Sequence, residues 1–461
     1  STQLQPDGSR LRYYEEASDY ELTVTKKKIK RILDKAKEDK LISDNDYSAM
    51  LPADKGPGKY YSIYKVHKGW EEGGIPKLRP IVSCCGSINE APGTYVQHHL
   101  KNFSNLHPSY LQDSPDFLRS IEQLNSENII ADGDILCTID VSSLYTNICS
   151  KDGLAAVKRA LVKHSDYSED KINLILDLLQ IVLEQNIFEF NGDLFRQVIG
   201  TAMGSKPAPD LANIFMAEID KEIVRLASEN PRMKLKFFKR FLDDLYFVVN
   251  CTSKTLHSFL KQINTINPSI QFTIQHTRPY NTDCTECEKC ECGELSSSIP
   301  FLDTTTTIKE WKIICDLFKK PTDRNQYLLP SSCHPQTMCQ NIPYSLALRI
   351  VRICSESISR DKRLAELKNM LLERKYKSKS VDAAIEKARA IPREEAIKRV
   401  IKPKVKDRPV FVAQFDPRLP NIPGIVKKAW RSMTLDQDMK DTFPKPPLVA
   451  FKVPQTLGAK L

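Results

Sequence analysis

No run of about 18 uninterrupted apolar residues occurs in this chain of 461 residues, so it lacks the usual signature of a membrane-spanning helix. The opening stretch, Ser1–Asp7, is polar and has no apolar core of the kind a secretory leader needs. It also has no initiator Met, which leaves room for residues upstream. No self-similarity recurs at solenoid periods, so a repeat architecture is not expected. The thirteen cysteines do not form an even framework. Most stand singly in apolar stretches, as Cys137, Cys251 and Cys315 do, which is how reduced core thiols are placed. That usage points to an intracellular, reducing compartment.

Charge is present but unevenly spread. The chain carries a formal +10, yet residues 319–461 alone hold 30 Lys and Arg against 14 Asp and Glu, a net of +16 that leaves −6 for the rest. A basic C-terminal third beside a mildly acidic body suggests a polyanion-binding face next to a site built from carboxylates. Solvated helix faces would produce the same count.

Residues 19–40 have a helical pattern with a thin apolar stripe, Ile29, Ile32, Leu33 and Ala36, and a basic run from Lys26 to Arg31. Ile135–Ile139 is a nearly continuous apolar run that leads into Asp140, the pattern of a buried strand with a carboxylate at its C-terminal end. Ser168 is placed to cap a helix whose core positions are Ile172, Ile175, Leu176, Leu179, Val182 and Leu183. Gly200 to Gly204 forms a turn before a second helix, with Leu211, Ile214, Phe215, Ile219 and Ile223 on its buried face. Phe237–Leu242, broken by Lys239-Arg240, and Leu245–Val249 flank Asp243-Asp244 as a tight β-hairpin with two acids at its tip. From Tyr344 the pattern is again helical, and residues 402–461 read as a Pro- and Lys-rich, partly ordered connector.

Three acids at the end of an apolar sheet would be costly without cations. Hard divalent ions prefer such carboxylate oxygens, and two of them about 3.5–4 Å apart are what phosphoryl transfer uses. A lone Asp-Asp is weak evidence. A strand Asp, a Gly-containing turn with its helix and a hairpin Asp-Asp, in that order, form a much stronger set.

These segments resemble the palm motifs of reverse transcriptases. Asp140-Val-Ser-Ser-Leu-Tyr145 is similar to the first, and Gln197-Val-Ile-Gly200-Thr-Ala-Met-Gly204-Ser-Lys-Pro207 to the second. Phe241-Leu242-Asp243-Asp244 is similar to the third, with Phe where Tyr is commoner. Tyr64-Lys65-Val-His-Lys68 and Lys77-Leu-Arg79-Pro resemble the fingers motifs. Within that class the chain looks most like the Penelope-like retroelements, relatives of telomerase, through Ile299-Pro-Phe-Leu-Asp303, Lys320-Pro-Thr-Asp-Arg324, Ser332-Cys-His-Pro335 and Ile342-Pro-Tyr-Ser-Leu-Ala-Leu-Arg349. The string Gly58-Lys-Tyr-Tyr-Ser-Ile-Tyr64 is set aside as a nuclease signature, because it lies inside the fingers motif.

The resemblance implies an α+β, right-hand polymerase. It also implies a helical N-terminal extension (1–55), fingers (56–130), a palm (131–318) with finger helices at 151–195 and a Cys-rich insertion at 281–294, a helical thumb (319–400) and a basic connector (401–461). Asp140 and Asp243 would ligate two Mg²⁺ directly, with Asp244 in support. Tyr145 would be the gate against a ribose 2′-OH. Lys65 and Arg79 would grip the dNTP triphosphate, with Lys68 and Lys77 as alternatives to Lys65, and Gln197 and Gly204 would line the templating base. The general acid of the fourth palm motif stays unassigned, because the insertion interrupts that stretch. Within it, Cys284, Cys287, Cys290 and Cys292 would suit Zn²⁺, with a disulfide pair or a free loop as the alternative. The implied partners are template RNA, a DNA primer or target DNA, and dNTPs, with no membrane, in the nucleus. A non-catalytic RNA-binding scaffold, or a telomerase- or maturase-type enzyme, is the rival reading.

Overall fold

A computed structural model of the chain describes residues 2–4, 10–52, 55–65, 70–71, 74–277, 297–399 and 408–452. It divides into two compact units, residues 1–313 and 314–461.

In the first unit, strand β1 (Tyr14–Glu16) precedes helix α1 (Asp19–Glu38). An antiparallel pair, β2 (Gly58–Tyr64) and β3 (Leu78–Ser83), is followed by α2 (Glu90–Leu100) and β4 (Asp134–Val141). Next come a single turn, α3 (Leu144–Asn147), and helices α4 (Ser150–His164) and α5 (Glu169–Glu184). Strands β5 (Asn186–Phe190) and β6 (Asp193–Gln197) lead to α6 (Ala208–Glu229). The hairpin β7 (Lys234–Phe241) and β8 (Asp244–Asn250), α7 (Ser253–Ile263) and β9 (Phe272–His276) complete the core.

Two sheets organise this unit. One is antiparallel, in the order β7-β8-β4-β9, and the other runs β1-β6-β5-β2-β3, with β5 and β2 parallel. The architecture is α+β with mainly antiparallel sheets, consistent with a right-hand polymerase fold.

The apolar strands β4 and β8 are covered on both faces, which is why their hydrophobic runs are almost unbroken. Ile135, Cys137, Ile139, Leu245, Phe247 and Val249 join the main core with α4, α5 and α6. Tyr246 packs from the other side against Phe117 and Phe301, and its hydroxyl bonds Thr306 at 3.0 Å. Helix α5 starts where Ser168 accepts from the Lys171 N–H, and α1 starts at a capping box of Ser18 and Glu21. Ile29, Leu33 and Ala36 are the buried stripe of α1.

Three segments differ from the sequence reading. Residues 1–55 are not wholly helical, because β1 pairs with β6, about 180 positions away. The helices of 151–195 end at Glu184, and a hairpin follows, turning at Asn191-Gly192, both with positive φ. Asn-Gly is the residue pair that a type I′ turn favours.

The third segment lies in the second unit. Helices Gln336–Ile353, Ser357–Glu373 and Ser378–Arg389 share a core that includes Ile350, Leu364, Leu367, Leu371, Val381 and Ile385. Beyond it, residues 408–452 are not just a connector. They hold a parallel strand pair, Val410–Gln414 with Leu448–Lys452, and a helix, Ile422–Met433, none of whose residues is buried. Asn421 caps that helix, Pro423 sits in its first turn, and Ile422, Ile425, Val426, Ala429, Trp430 and Met433 recur at helical spacing, a local signal that the Pro- and Lys-rich composition around it masked.

Candidate functional site

The antiparallel register of β4 and β8 places Asp140 directly opposite Asp244. Phe241 pairs with Asp244, so Leu242 and Asp243 alone form the turn of the β7–β8 hairpin. Leu242 has a φ of +53°, a left-handed conformation that costs a non-glycine residue about 1–2 kcal/mol. The turn is held at both carbonyls: Leu242 O accepts from Arg240 Nη1 at 3.1 Å, and Asp243 O accepts from the Val141 N–H at 3.0 Å.

All three aspartates are half-buried. Asp140 therefore lies inside its strand, one residue before the end, and Asp244, assigned a supporting part, is the acid that faces it. Like charges directly opposite one another destabilise a sheet, and a divalent cation relieves that repulsion. Among the described residues, no three His, Cys, Asp or Glu side chains are already grouped as a metal cage. The donor set still fits Mg²⁺, which takes one or two carboxylates and completes its octahedron with water and substrate phosphate.

Tyr145, on the single turn α3, is half-buried beside these acids. Its phenol is pushed up to about 12, first by burial and then by the negative charges of Asp243 and Asp210, so it stays neutral. Asp210, on the first turn of α6, accepts from Ser104 Oγ at 2.6 Å, and burial raises its own pKa. The sequence reading did not include it.

The turn before α6 ties this centre to the other sheet. Thr201 N–H donates to Tyr145 O at 2.7 Å, and Val82 N–H on β3 donates to Met203 O at 3.0 Å. Both glycines of the turn have positive φ and no room for a side chain. A Cβ on Gly200 would lie 2.5 Å from the Thr146 backbone, and one on Gly204 would lie 2.4 Å from Val82 O. Gln197 is buried at the end of β6, and its amide nitrogen donates to Ile199 O at 2.8 Å, shaping the entry to the turn.

On the β2–β3 pair, Arg79 stands opposite Ile63, and the Lys65 N–H donates to Lys77 O at 2.7 Å. Side chains alternate along a strand, so Lys65, Lys77 and Arg79 share one face of this pair. Lys68 and the four cysteines Cys284, Cys287, Cys290 and Cys292 lie outside the described residues.

Behind the acid hairpin is a charged network that the sequence reading missed. Arg240 and Asp220 are both fully buried, with Nε 2.8 Å from the carboxylate. Ser109 Oγ donates to Asp220 at 2.6 Å, and His107 lies 3.9 Å from it, its pKa lowered mainly by burial. Arg240 Nη1 also donates to Asn213 Oδ1 at 3.0 Å. Removing one partner of such a pair costs about 3–5 kcal/mol, because it leaves a bare charge in the core. The signal was Lys239-Arg240 interrupting an apolar strand, since Arg is almost never buried unless it is paired.

A family model described as an animal helix-turn-helix domain matches residues 326–386. No curated protein sequence matches the chain. Among solved structures, the telomerase of Candida albicans bound to a fragment of telomeric RNA aligns at 10% identity over 75% of this chain and 56% of its own, with a TM-score of 0.49. The apo telomerase of Candida tropicalis aligns at 12% identity over 74% and 58%, with a TM-score of 0.44. The sicinivirus RNA-dependent RNA polymerase aligns at 11% over 84% and 74%, with a TM-score of 0.41. The chain spans a little over half the length of the telomerase chains it matches.

The fit of Gly204 against β3 is open to test. Gly204→Ala combines a φ of +119° with a contact to backbone that cannot retreat. It should destabilise the first unit by roughly 1–3 kcal/mol from the backbone conformation alone. The urea midpoint should fall with an unchanged slope. A wild-type midpoint would mean that the turn does not sit against Val82.

Proposed function

We propose that the chain is an RNA-directed DNA polymerase of a retroelement, of the Penelope-like kind, which extends a DNA 3′-end on an RNA template. The observation that carries this reading is the opposition of Asp140 and Asp244 beside Asp243 in the turn, with Tyr145 next to them. Asp140, Asp243 and Asp244 would hold two Mg²⁺, which when bound supply the positive charge that stabilises the attacking 3′-oxygen and the departing pyrophosphate. The 3′-oxygen bonds to the α-phosphorus as the bond to the β-phosphate oxygen breaks.

Lys65, Lys77 and Arg79 share a face suited to a triphosphate, where the planar fork of Arg can donate in pairs. Tyr145 excludes a 2′-OH by packing beneath the sugar, and its neutral phenol adds no charge there. Gln197 and Gly204 border the templating base through the turn that they shape. In the second unit, exposed Lys375, Lys377 and Lys379 around the start of the helix Ser378–Arg389 suit a nucleic-acid backbone, read through its phosphates rather than its sequence. The DNA primer, in this reading, is a nicked target strand, and the place of action is the nucleus.

A non-catalytic scaffold is the weaker reading, because a scaffold has no need for like charges facing each other across a sheet. Primer extension by the purified protein on matched RNA and DNA templates, with Mg²⁺, decides between the two. Asp243→Asn should abolish extension and leave RNA binding nearly intact; activity close to wild type would remove Asp243 from the site.

Tyr145→Val should admit ribonucleotides more readily. An unchanged ratio of kcat/KM for dNTP and rNTP would reduce Tyr145 to a packing residue.

Cys284, Cys287, Cys290 and Cys292 are proposed as a Zn²⁺ site separate from the catalytic one. Metal analysis of protein purified without added zinc should find about one Zn²⁺ per chain, lost in a Cys287→Ser, Cys290→Ser double variant. Metal-free wild-type protein with full activity would overturn it.

A further inference from the structure

Arg240 is fully buried, and no part in catalysis has been assigned to it. Its guanidinium reaches three places at once. Nε binds both oxygens of Asp220 on α6, at 2.8 and 3.0 Å. Nη1 binds Asn213 Oδ1, also on α6, at 3.0 Å, and Leu242 O in the acid turn at 3.1 Å. The backbone of Arg240 is fixed as well: its N–H donates to Ser109 O at 2.6 Å, and its carbonyl accepts from the Leu111 N–H at 2.8 Å.

We propose that Arg240 is a positioning residue for the metal-binding turn, fixing the peptide between Leu242 and Asp243 and through it the Asp243 carboxylate. A peptide group is planar, so holding its carbonyl oxygen orients the N–H of the next residue too. Arg240 holds the peptide before Asp243, and the Val141 N–H holds the one after it. The Cα of Asp243 thus sits between two fixed planes. Leu242 needs this support, because its left-handed φ persists only where the surroundings over-determine it. The two ends of the clamp differ in kind. Val141 belongs to the strand that carries Asp140, whereas Arg240 refers the turn to α6, the helix that also carries Asp210.

A salt bridge serving stability alone would require only that Asp220 be neutralised. Lysine could do that. Lysine offers a compact ammonium in place of the flat, rigid fork that serves Asp220 and Leu242 from separate nitrogens. The two roles therefore separate in Arg240→Lys, which keeps the buried charge and loses the hold on Leu242.

This proposal rests on the polymerase reading, so its test has one arm that needs no catalysis. In full-length protein, Mn²⁺ affinity is measured by electron paramagnetic resonance for wild type and Arg240→Lys, with thermal unfolding recorded for both. Primer extension then gives kcat, KM for dNTP and the Mg²⁺ midpoint. Residues that orient a metal ligand change metal affinity or activity by about 10–100-fold when replaced. Arg240→Lys should accordingly bind Mn²⁺ about tenfold more weakly, lose kcat more than it changes KM, and recover in part at high Mg²⁺. Equal Mn²⁺ affinity and an equal Mg²⁺ midpoint, with only a lower Tm, would overturn the proposal and make Arg240 a stability residue. If Arg240→Lys does not fold, the double variant Arg240→Met, Asp220→Asn, which removes the hold on Leu242 without leaving a bare charge in the core, should shift Mn²⁺ affinity in the same direction, and wild-type affinity there would overturn the proposal equally. Wild-type protein that binds Mn²⁺ but adds no nucleotide would sink the polymerase reading and leave the Arg240 result standing.

Discussion

The pairing of β4 with β8 is the constraint on which the site depends. Moving that register by one residue would turn Asp244 away from Asp140 and carry every apolar side chain of β8 to the wrong face. Several features prevent the slip. β7 is pinned near both ends by charged partners: Lys236 meets Asp134 at 2.7 Å at the end far from the acids, and Arg240 meets Asp220 behind the turn. The turn is only two residues long, which leaves no slack between β7 and β8. The carboxylates are thus set by the most tightly specified part of the unit, and the repulsion between them is built in by the same pairing that defines the sheet.

What could be read from the sequence was mostly what local chemistry dictates. The apolar run into Asp140, the helix capped by Ser168 and the buried face of α6 each carry their own periodicity, and each is found where that periodicity puts it. The acid hairpin was visible because strand-like sequence flanks it on both sides. Even the Ile299-Pro-Phe-Leu string, singled out by resemblance, has a physical role, since Ile299 and Phe301 are buried and Phe301 packs on Tyr246.

The second sheet was not legible. It joins residues 14–16, 58–64, 78–83 and 186–197, and nothing within any one of these segments names its partner. The β5–β6 hairpin did carry a local signal, Asn191-Gly192, which the helical pattern upstream obscured. Arg240 and Asp220 stand 20 positions apart on a strand and a helix; Arg240 inside an apolar strand signals a need for a partner, but nothing in the sequence names Asp220 as that partner. The same applies to Asp210 and Ser104, whose contact spans 106 positions. Pairwise burial of polar groups is a property of the assembled fold, and single-residue patterns do not encode it.

The contact between Val82 and the 203–204 turn also has a mechanical meaning. The β2–β3 pair lies at one edge of its sheet and is anchored where Val82 meets Met203 and Gly204. Its outer end, with Ile63, Tyr64 and Leu78, is exposed. Arg79 lies three residues beyond the anchor, about 10 Å along an extended chain. The pair is therefore a cantilever with its cations out on the arm and its fulcrum against a backbone with no side chain to yield. Load applied at Arg79 reaches the acids through that fulcrum as well as through the pairing of β2 with β5, and the next link from the fulcrum is the hydrogen bond between Thr201 and Tyr145.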